Sequence, residues 1–252
     1  MTEPIAFAPP PAAPGLTQWQ RVSNTFTAPS ATFNDIARGN KSWWLPFVLM
    51  VACAYLLFAV ITVHVGWNQV AENTMHMNAK AEAKLAQAPP EQRDKIVTMT
   101  QYSMEGSFAA TPVLVLLIGV IVSAVLWGTI NFAFGGKASF PAVFSVWMFA
   151  SLPGVIKSIL GSLVSWFTVP DSFNLANFAP TNLGAFLSPT ETNAAIYKLA
   201  TALDFTTIWS MALLSIGLAT VAGLKRNSGY ITVFGWWVLI TLIGVGWAAV
   251  AG

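Results

Sequence analysis

Lys157 and Asp204 are the residues of this sequence best placed to do chemistry, because each is the one formal charge inside a long apolar run. Ala138 to Pro170 is interrupted only by Lys157, and Leu199 to Leu224 only by Asp204. An ionisable group at the centre of a membrane helix costs about 2.5 to 3.5 kcal/mol on insertion scales, so it faces a partner or water. The two charges are opposite and lie on consecutive, antiparallel runs. A Lys157–Asp204 contact is therefore expected, reached along the flexible lysine stem. Pro153, one turn before Lys157, frees the carbonyl of Phe149 and permits a kink. Thr201 and Thr207, three residues to either side of Asp204, are expected to place hydroxyls beside the carboxylate. Two readings follow: a structural pair that fixes the register of two helices, or an ion relay or substrate anchor in a transport path. As a test of the contact, Asp204→Asn alone is expected to destabilise more than the combined Lys157→Met and Asp204→Leu change, since the single substitution leaves a buried charge unpaired.

The remaining chemistry-bearing residues are sparse. Met75-His76-Met77, with Met99 and Met104, has the soft donors that suit Cu(I), but amphipathic helices also use Met as a filler. His64 and His76 are the only histidines and Cys53 the only cysteine, so neither a histidine cluster nor an intramolecular disulfide is available. His64 is expected at the membrane interface and Cys53 as a small packed hydrophobe. No Gly-rich phosphate loop, nucleophile elbow or paired-carboxylate constellation occurs. Neither an enzyme nor a cofactor nor a metal site is expected.

The elements that position the pair follow from composition. Of 252 residues 55% are hydrophobic and 9% charged, against about 25% charged in an ordinary soluble domain. Too few polar side chains are available to solvate a compact body, which excludes a soluble globular protein. The formal net charge of +2 and the scattered Lys and Arg exclude a nucleic-acid partner. A bilayer core of about 30 Å takes about 20 helical residues. Five stretches qualify, at roughly 43–67, 109–134, 139–166, 200–222 and 229–251. The fold class is all-α, a polytopic membrane protein of five transmembrane helices, with the lipid bilayer as its first partner.

Charge placement orients the spans, since cytoplasmic segments collect Lys and Arg. With the N-terminus inside, six inner bases (Arg21, Arg38, Lys41, Lys137, Lys225, Arg226) face Glu3 and Asp35, a balance of +4. The outer loops set five bases against seven acids, a balance of −2. N-inside, C-outside is the expected topology.

Residues 1–16 are Pro/Ala-rich and read as a disordered tail, with no cleaved signal peptide expected. Residues 17–42 read as a cytoplasmic interfacial segment. There Trp19, Val22 and Phe26, then Phe33 and Ile36, recur at helical spacing, with Arg21 and Arg38 on the polar sides. Packing of these two helices against the inner face of the bundle is the alternative. Residues 43–252 form the membrane domain. Its first outer loop, about 68–106, reads as two helical stretches broken at Pro89-Pro90. Its second, about 167–198, is Pro/Asn-rich and long enough to fold back over the bundle mouth, with Thr190 to Leu199 starting a helix that runs into span four. Gly154, Ser158 and Ser162 form a small-residue stripe for close helix approach. Trp43-Trp44, Trp67, Trp166 and Trp236-Trp237 fall near span ends as interfacial anchors.

Several short motifs carry a family resemblance. Phe26-Thr27-Ala28-Pro29-Ser30, followed by Phe33, Ile36 and Trp43-Trp44-Leu45-Pro46, resembles the start of bacterial members of the Yip1 domain family. Phe134-Gly135-Gly136-Lys137 leading to Ala150-Ser151-Leu152-Pro153 resembles the same family, from about residue 24 onward. The resemblance implies a five-helix integral membrane protein without enzymatic activity, in the bacterial cytoplasmic membrane. Eukaryotic relatives contact small GTPases through an Asp-Leu-Tyr-Gly-Pro type of motif; none occurs here, so small-GTPase binding is not supported. The expected role is a membrane-organising scaffold or adaptor for other membrane proteins, or one that self-associates. The alternative is a small-solute or ion transporter or channel using Lys157 and Asp204.

Overall fold

The computed structural model describes residues 15–251; most of the proposed tail lies outside them. Two short helices come first, α1 (Gln18–Thr27) and α2 (Pro29–Ala37). Thr17 and Gln20 close α1 with a reciprocal capping box, and Pro29 opens α2 at its first turn, where its missing N–H costs nothing. Span one is α3 (Trp44–Val60), which widens into a π-turn at Ile61–Val65 and stops at Gly66, whose φ of 84° few other residues adopt. Three helices then fill the first loop: α4 (Trp67–His76), α5 (Ala79–Gln87) and α6 (Pro90–Ala109). The expected two stretches are thus three. Asn78 ends the first by capping α5 through its side chain, a stop signal that the Pro89-Pro90 break overshadows.

Span two is α7 (Thr111–Gly128), extended by a π-turn at Thr129–Ala133. Span three covers Phe140–Phe167 as two helices, α8 (Phe140–Ala150) and α9 (Pro153–Phe167). After 3₁₀ turns come α10 (Ala194–Ala202), then span four as α11 (Phe205–Ala222), then span five within α12 (Arg226–Ala251). Among the described residues no strand occurs, only an isolated bridge between Asn182 and Asp204. The described residues are all-α, with five helices long and apolar enough to cross a membrane.

Spans three and four form the centre, with half of their most apolar windows buried. The main core joins Val143, Val146 and Phe149 of α8 to Leu213, Leu214 and Leu218 of α11, and takes in Phe33 and Ile36 of α2. The N-terminal helices are therefore docked against the bundle rather than only lying beside it, and Arg21 is a correction: it is fully buried, not on a polar side. A smaller cluster at the other end gathers Leu57, Ile61, Trp67, Val70 and Phe173. Trp67 belongs to it, stacked on Phe58 at 5.1 Å with its indole N–H donating to Thr62, so it is a core residue and not an interfacial anchor.

The two ends are distinct. At one, the Gly135 and Gly223 turns meet, Lys137 N–H donating to the carbonyl of Ala222 at 3.1 Å, while Arg226 reaches Ser30 of α2. At the other, Asn73 of α4 ties down the second loop through the carbonyls of Pro170 and Phe173, at 2.8 and 3.0 Å. Spans four and five approach closely at Gly229, where a Cβ would lie 2.1 Å from the carbonyl oxygen of Ser215. Backbone cannot yield as a side chain does, so Gly229→Ala is expected to cost about 1 to 3 kcal/mol by overpacking. Thermal unfolding in detergent measures this; Gly235→Ala, with open space around it, serves as the control.

Candidate functional site

The site is made where span three is broken and where the chain turns from α10 into span four. Span three breaks at Ser151-Leu152, with Pro153 at the first position of α9. The Phe149 carbonyl is not left free there: it accepts from Leu152 N–H at 3.2 Å in a tight turn. One turn beyond Pro153, Lys157 projects from α9 toward α11 and its ammonium donates to Asp204 Oδ2 at 2.9 Å. Asp204 is not inside a helix. It lies between α10 and α11 with extended backbone (φ −100°, ψ 126°) and caps α11, accepting from Thr207 N–H at 2.9 Å. An aspartate beside the positive end of a helix is favoured there.

Two hydroxyls complete the knot, and neither is the one expected. Thr206 donates to Asp204 Oδ1 and Thr181, from the second loop, to Asp204 Oδ2, each at 2.6 Å. Thr201 instead donates to the carbonyl of Lys198, and Thr207 contributes its backbone N–H rather than its hydroxyl. Spacing counted along one continuous helix misplaced both, because the chain breaks at Leu203-Asp204. Thr206 is two residues from Asp204 and would face away from it on a continuous helix; Thr181 is 23 residues off, with no local signal.

The second loop folds back into the bundle to supply Thr181. Phe178 lies against Gly161, where any side chain would strike its ring, and the Lys157 ammonium sits 5.7 Å from that ring. Phe205 N–H donates to the carbonyl of Thr181 at 2.8 Å. The knot thus staples three segments, α9, the loop and the start of α11.

Each carboxylate oxygen of Asp204 accepts two hydrogen bonds, which fills its ordinary capacity of about four. Asp204 is 2% exposed, whereas Lys157 is 27% exposed. Burial alone would raise the Asp204 carboxyl, but the donors from Thr181, Thr206, Lys157 and Thr207 outweigh it and hold the group well below the usual carboxylate range. A carboxyl depressed in the folded state gives stability that is fully present above its unfolded value, about 3.9, and is lost as pH falls toward the folded one. Thermal stability should therefore lose this contribution only below about pH 4, and Asp204→Asn should remove that part of the acid limb. Melting curves against pH in detergent check it.

A second buried pair lies at the opposite end. Arg21 of α1 donates through Nη1 to the carbonyl of Asn40 at 2.7 Å, and its Nε is 3.8 Å from Asp35 Oδ2. Its guanidinium covers the Phe149 ring at 4.8 Å. Burial lowers the Arg21 pKa, opposed by Asp35. Asp35 also accepts from Leu16 N–H and Asn40 Nδ2, so the pair fastens the α1–α2 hairpin beneath the break in span three. The amphipathic periodicity of 17–42 hid it, since both charges read as solvated.

The other candidate ligands are scattered. His76 faces Glu82 at 3.2 Å, Met99 is exposed and Met104 packs against the smaller cluster. His64 stacks on Trp166, and Cys53 is half-buried. Among the described residues no group of three His, Cys, Asp or Glu is arranged to hold a metal ion.

Comparison with known proteins gives one match: a family model described as the Yip1 domain covers residues 23–248. No curated protein and no solved structure matches the chain.

Proposed function

The chain belongs to the Yip1 domain family, and on that premise we propose that this multi-pass membrane protein is a non-enzymatic scaffold or adaptor that holds other membrane proteins or a second copy of itself. The observation that carries the reading is the uneven burial of its spans. Span five buries 6% of its most apolar window and span two 22%, against 50% for spans three and four. A rigid centre thereby presents broad apolar helix faces to its surroundings, with Leu239, Leu242, Ile243 and Trp247 outward on span five. The membrane proposed is the bacterial cytoplasmic one, after the resemblance to bacterial members of the family, and positive-inside charge placement supports an orientation with the N-terminus and both glycine turns cytoplasmic. An impermeant thiol label added outside should reach a cysteine at Ser188 and miss one at Lys137, in a Cys53→Ser background; the reverse pattern inverts the topology.

A photo-crosslinker at Leu242 in native membranes tests the adaptor reading. Defined protein adducts from Leu242, absent from the same group at buried Leu218, are the expected result. Lipid adducts alone would overturn it.

The second reading, transport, is favoured by one observation: span three is discontinuous beside a charged pair that sits at the start of span four, and broken helices are a feature of transporter binding sites. Against it stands the saturated carboxylate of Asp204, which has no acceptor left for a passing ion or proton.

A further inference from the structure

A recess borders the Lys157–Asp204 knot, between α8, α9 and α11. It holds about 260 Å³ and opens beside exposed Gly154. Its lining changes along its length, from Lys157, Thr207 and Ser210 at one end to Trp147, Met211 and Leu214 at the other. Depth can be read from span four, whose 18 residues make about 27 Å of helix, close to the ~30 Å hydrocarbon thickness. Asp204 and Thr207 therefore lie at the edge of the hydrocarbon, where glycerol esters meet acyl chains. Leu214 lies about two turns deeper, roughly 11 Å.

The polar end holds unspent hydrogen-bonding capacity. Several other hydroxyls of α9 and α11 bond back to the carbonyl four residues earlier, as Ser162, Ser165, Ser215 and Thr220 do. Among the described residues, the side chains of Thr207 and Ser210 make no hydrogen bond, and the Lys157 ammonium donates only to Asp204, leaving two N–H groups free. The salt bridge with Asp204 leaves this end without net charge.

Donors without net charge above an apolar slot are the complement of ester carbonyls, which are uncharged acceptors attached to acyl chains. The geometry points to a lipid site: the recess binds the glycerol-ester region of a glycerophospholipid from the leaflet on the loop side. Its carbonyl oxygens take hydrogen bonds from Lys157, Thr207 and Ser210, and the upper part of one acyl chain lies beside Met211 and Leu214. This site stands apart from the adaptor reading, since either can fail alone.

The test uses the full chain in nanodiscs of phosphatidylethanolamine and phosphatidylglycerol, released into mild detergent for native mass spectrometry. One ester lipid should be retained. The ether-linked analogues keep the phosphate but lack the carbonyls, and should be retained roughly tenfold less. Thr207→Val with Ser210→Ala should cause a similar loss, since it spares the backbone cap on Asp204. Ser210→Leu, which fills the slot, should abolish retention, and Leu117→Ala on the exposed face of α7 should not change it. Size-exclusion profiles establish that each variant is folded. Equal retention of ester and ether lipids, or retention unaffected in folded Ser210→Leu, overturns the proposal.

Discussion

Asp204→Ala is expected to lower unfolding stability by about 3 to 5 kcal/mol, the range for breaking a buried ion pair. The loss has several parts. Removing the carboxylate uncaps α11, which by itself costs about 1 kcal/mol. It also leaves the Thr181 and Thr206 hydroxyls and the Thr207 N–H without their acceptor. Lys157 adds less, because at 27% exposure water compensates part of its charge. Asp204→Asn keeps a good capping residue and one carbonyl acceptor, so it should cost about 1 to 2 kcal/mol, the difference between charged and neutral hydrogen bonds. This geometry reverses the ordering expected of a bare two-residue contact. The combined Lys157→Met and Asp204→Leu change loses the cap and both threonine bonds, so it should fall below Asp204→Asn rather than above it. Unfolding in detergent micelles ranks the three variants; a double variant more stable than Asp204→Asn would show that Asp204 does nothing beyond pairing with Lys157.

Asp35→Ala is the second large effect, at about 3 kcal/mol or more, because it strands a guanidinium that is fully buried. Arg21 Nε and Nη2 already have no hydrogen-bond partner, and only the Asn40 carbonyl and the Phe149 ring would remain to it. The partner substitution is not equivalent. Arg21→Met keeps volume against Phe149, and Asp35 retains Leu16 N–H, Asn40 Nδ2 and Arg38 at 3.6 Å. Its cost should be smaller, about 1 to 2 kcal/mol. The damage should be local to α1 and α2, so hydrogen exchange at residues 18–40 should rise in Asp35→Ala well before the spans respond. Protection of that hairpin in Asp35→Ala equal to that in the native chain would mean the pair does not hold it.

The spans were legible because a helix in lipid must be long, apolar and nearly free of charge, and each of those conditions is local in the sequence. Lys157 and Asp204 stood out for the same reason, as exceptions to it. What surrounds them was not legible. A two-residue break such as Ser151-Leu152 or Leu203-Asp204 hardly alters the hydropathy of a long window, so both central spans read as continuous, and helical spacing then pointed to Thr201 and Thr207. Thr181 reaches Asp204 only because a Pro/Asn-rich loop folds inward, and nothing near Thr181 specifies where that loop goes. Arg21 and Asp35 failed differently: on a short amphipathic helix a charge is ordinarily solvated, and only the docking of Phe33 and Ile36 into the main core brings these two under cover.

On the scaffold reading, the polar knot between spans three and four is a closed structural staple and not a conduction path. Flux of protons and small ions through the purified chain in liposomes tests it most directly. Flux indistinguishable from protein-free vesicles is expected, for the native chain and for Asp204→Asn alike. Flux above that background that disappears in folded Asp204→Asn would contradict it.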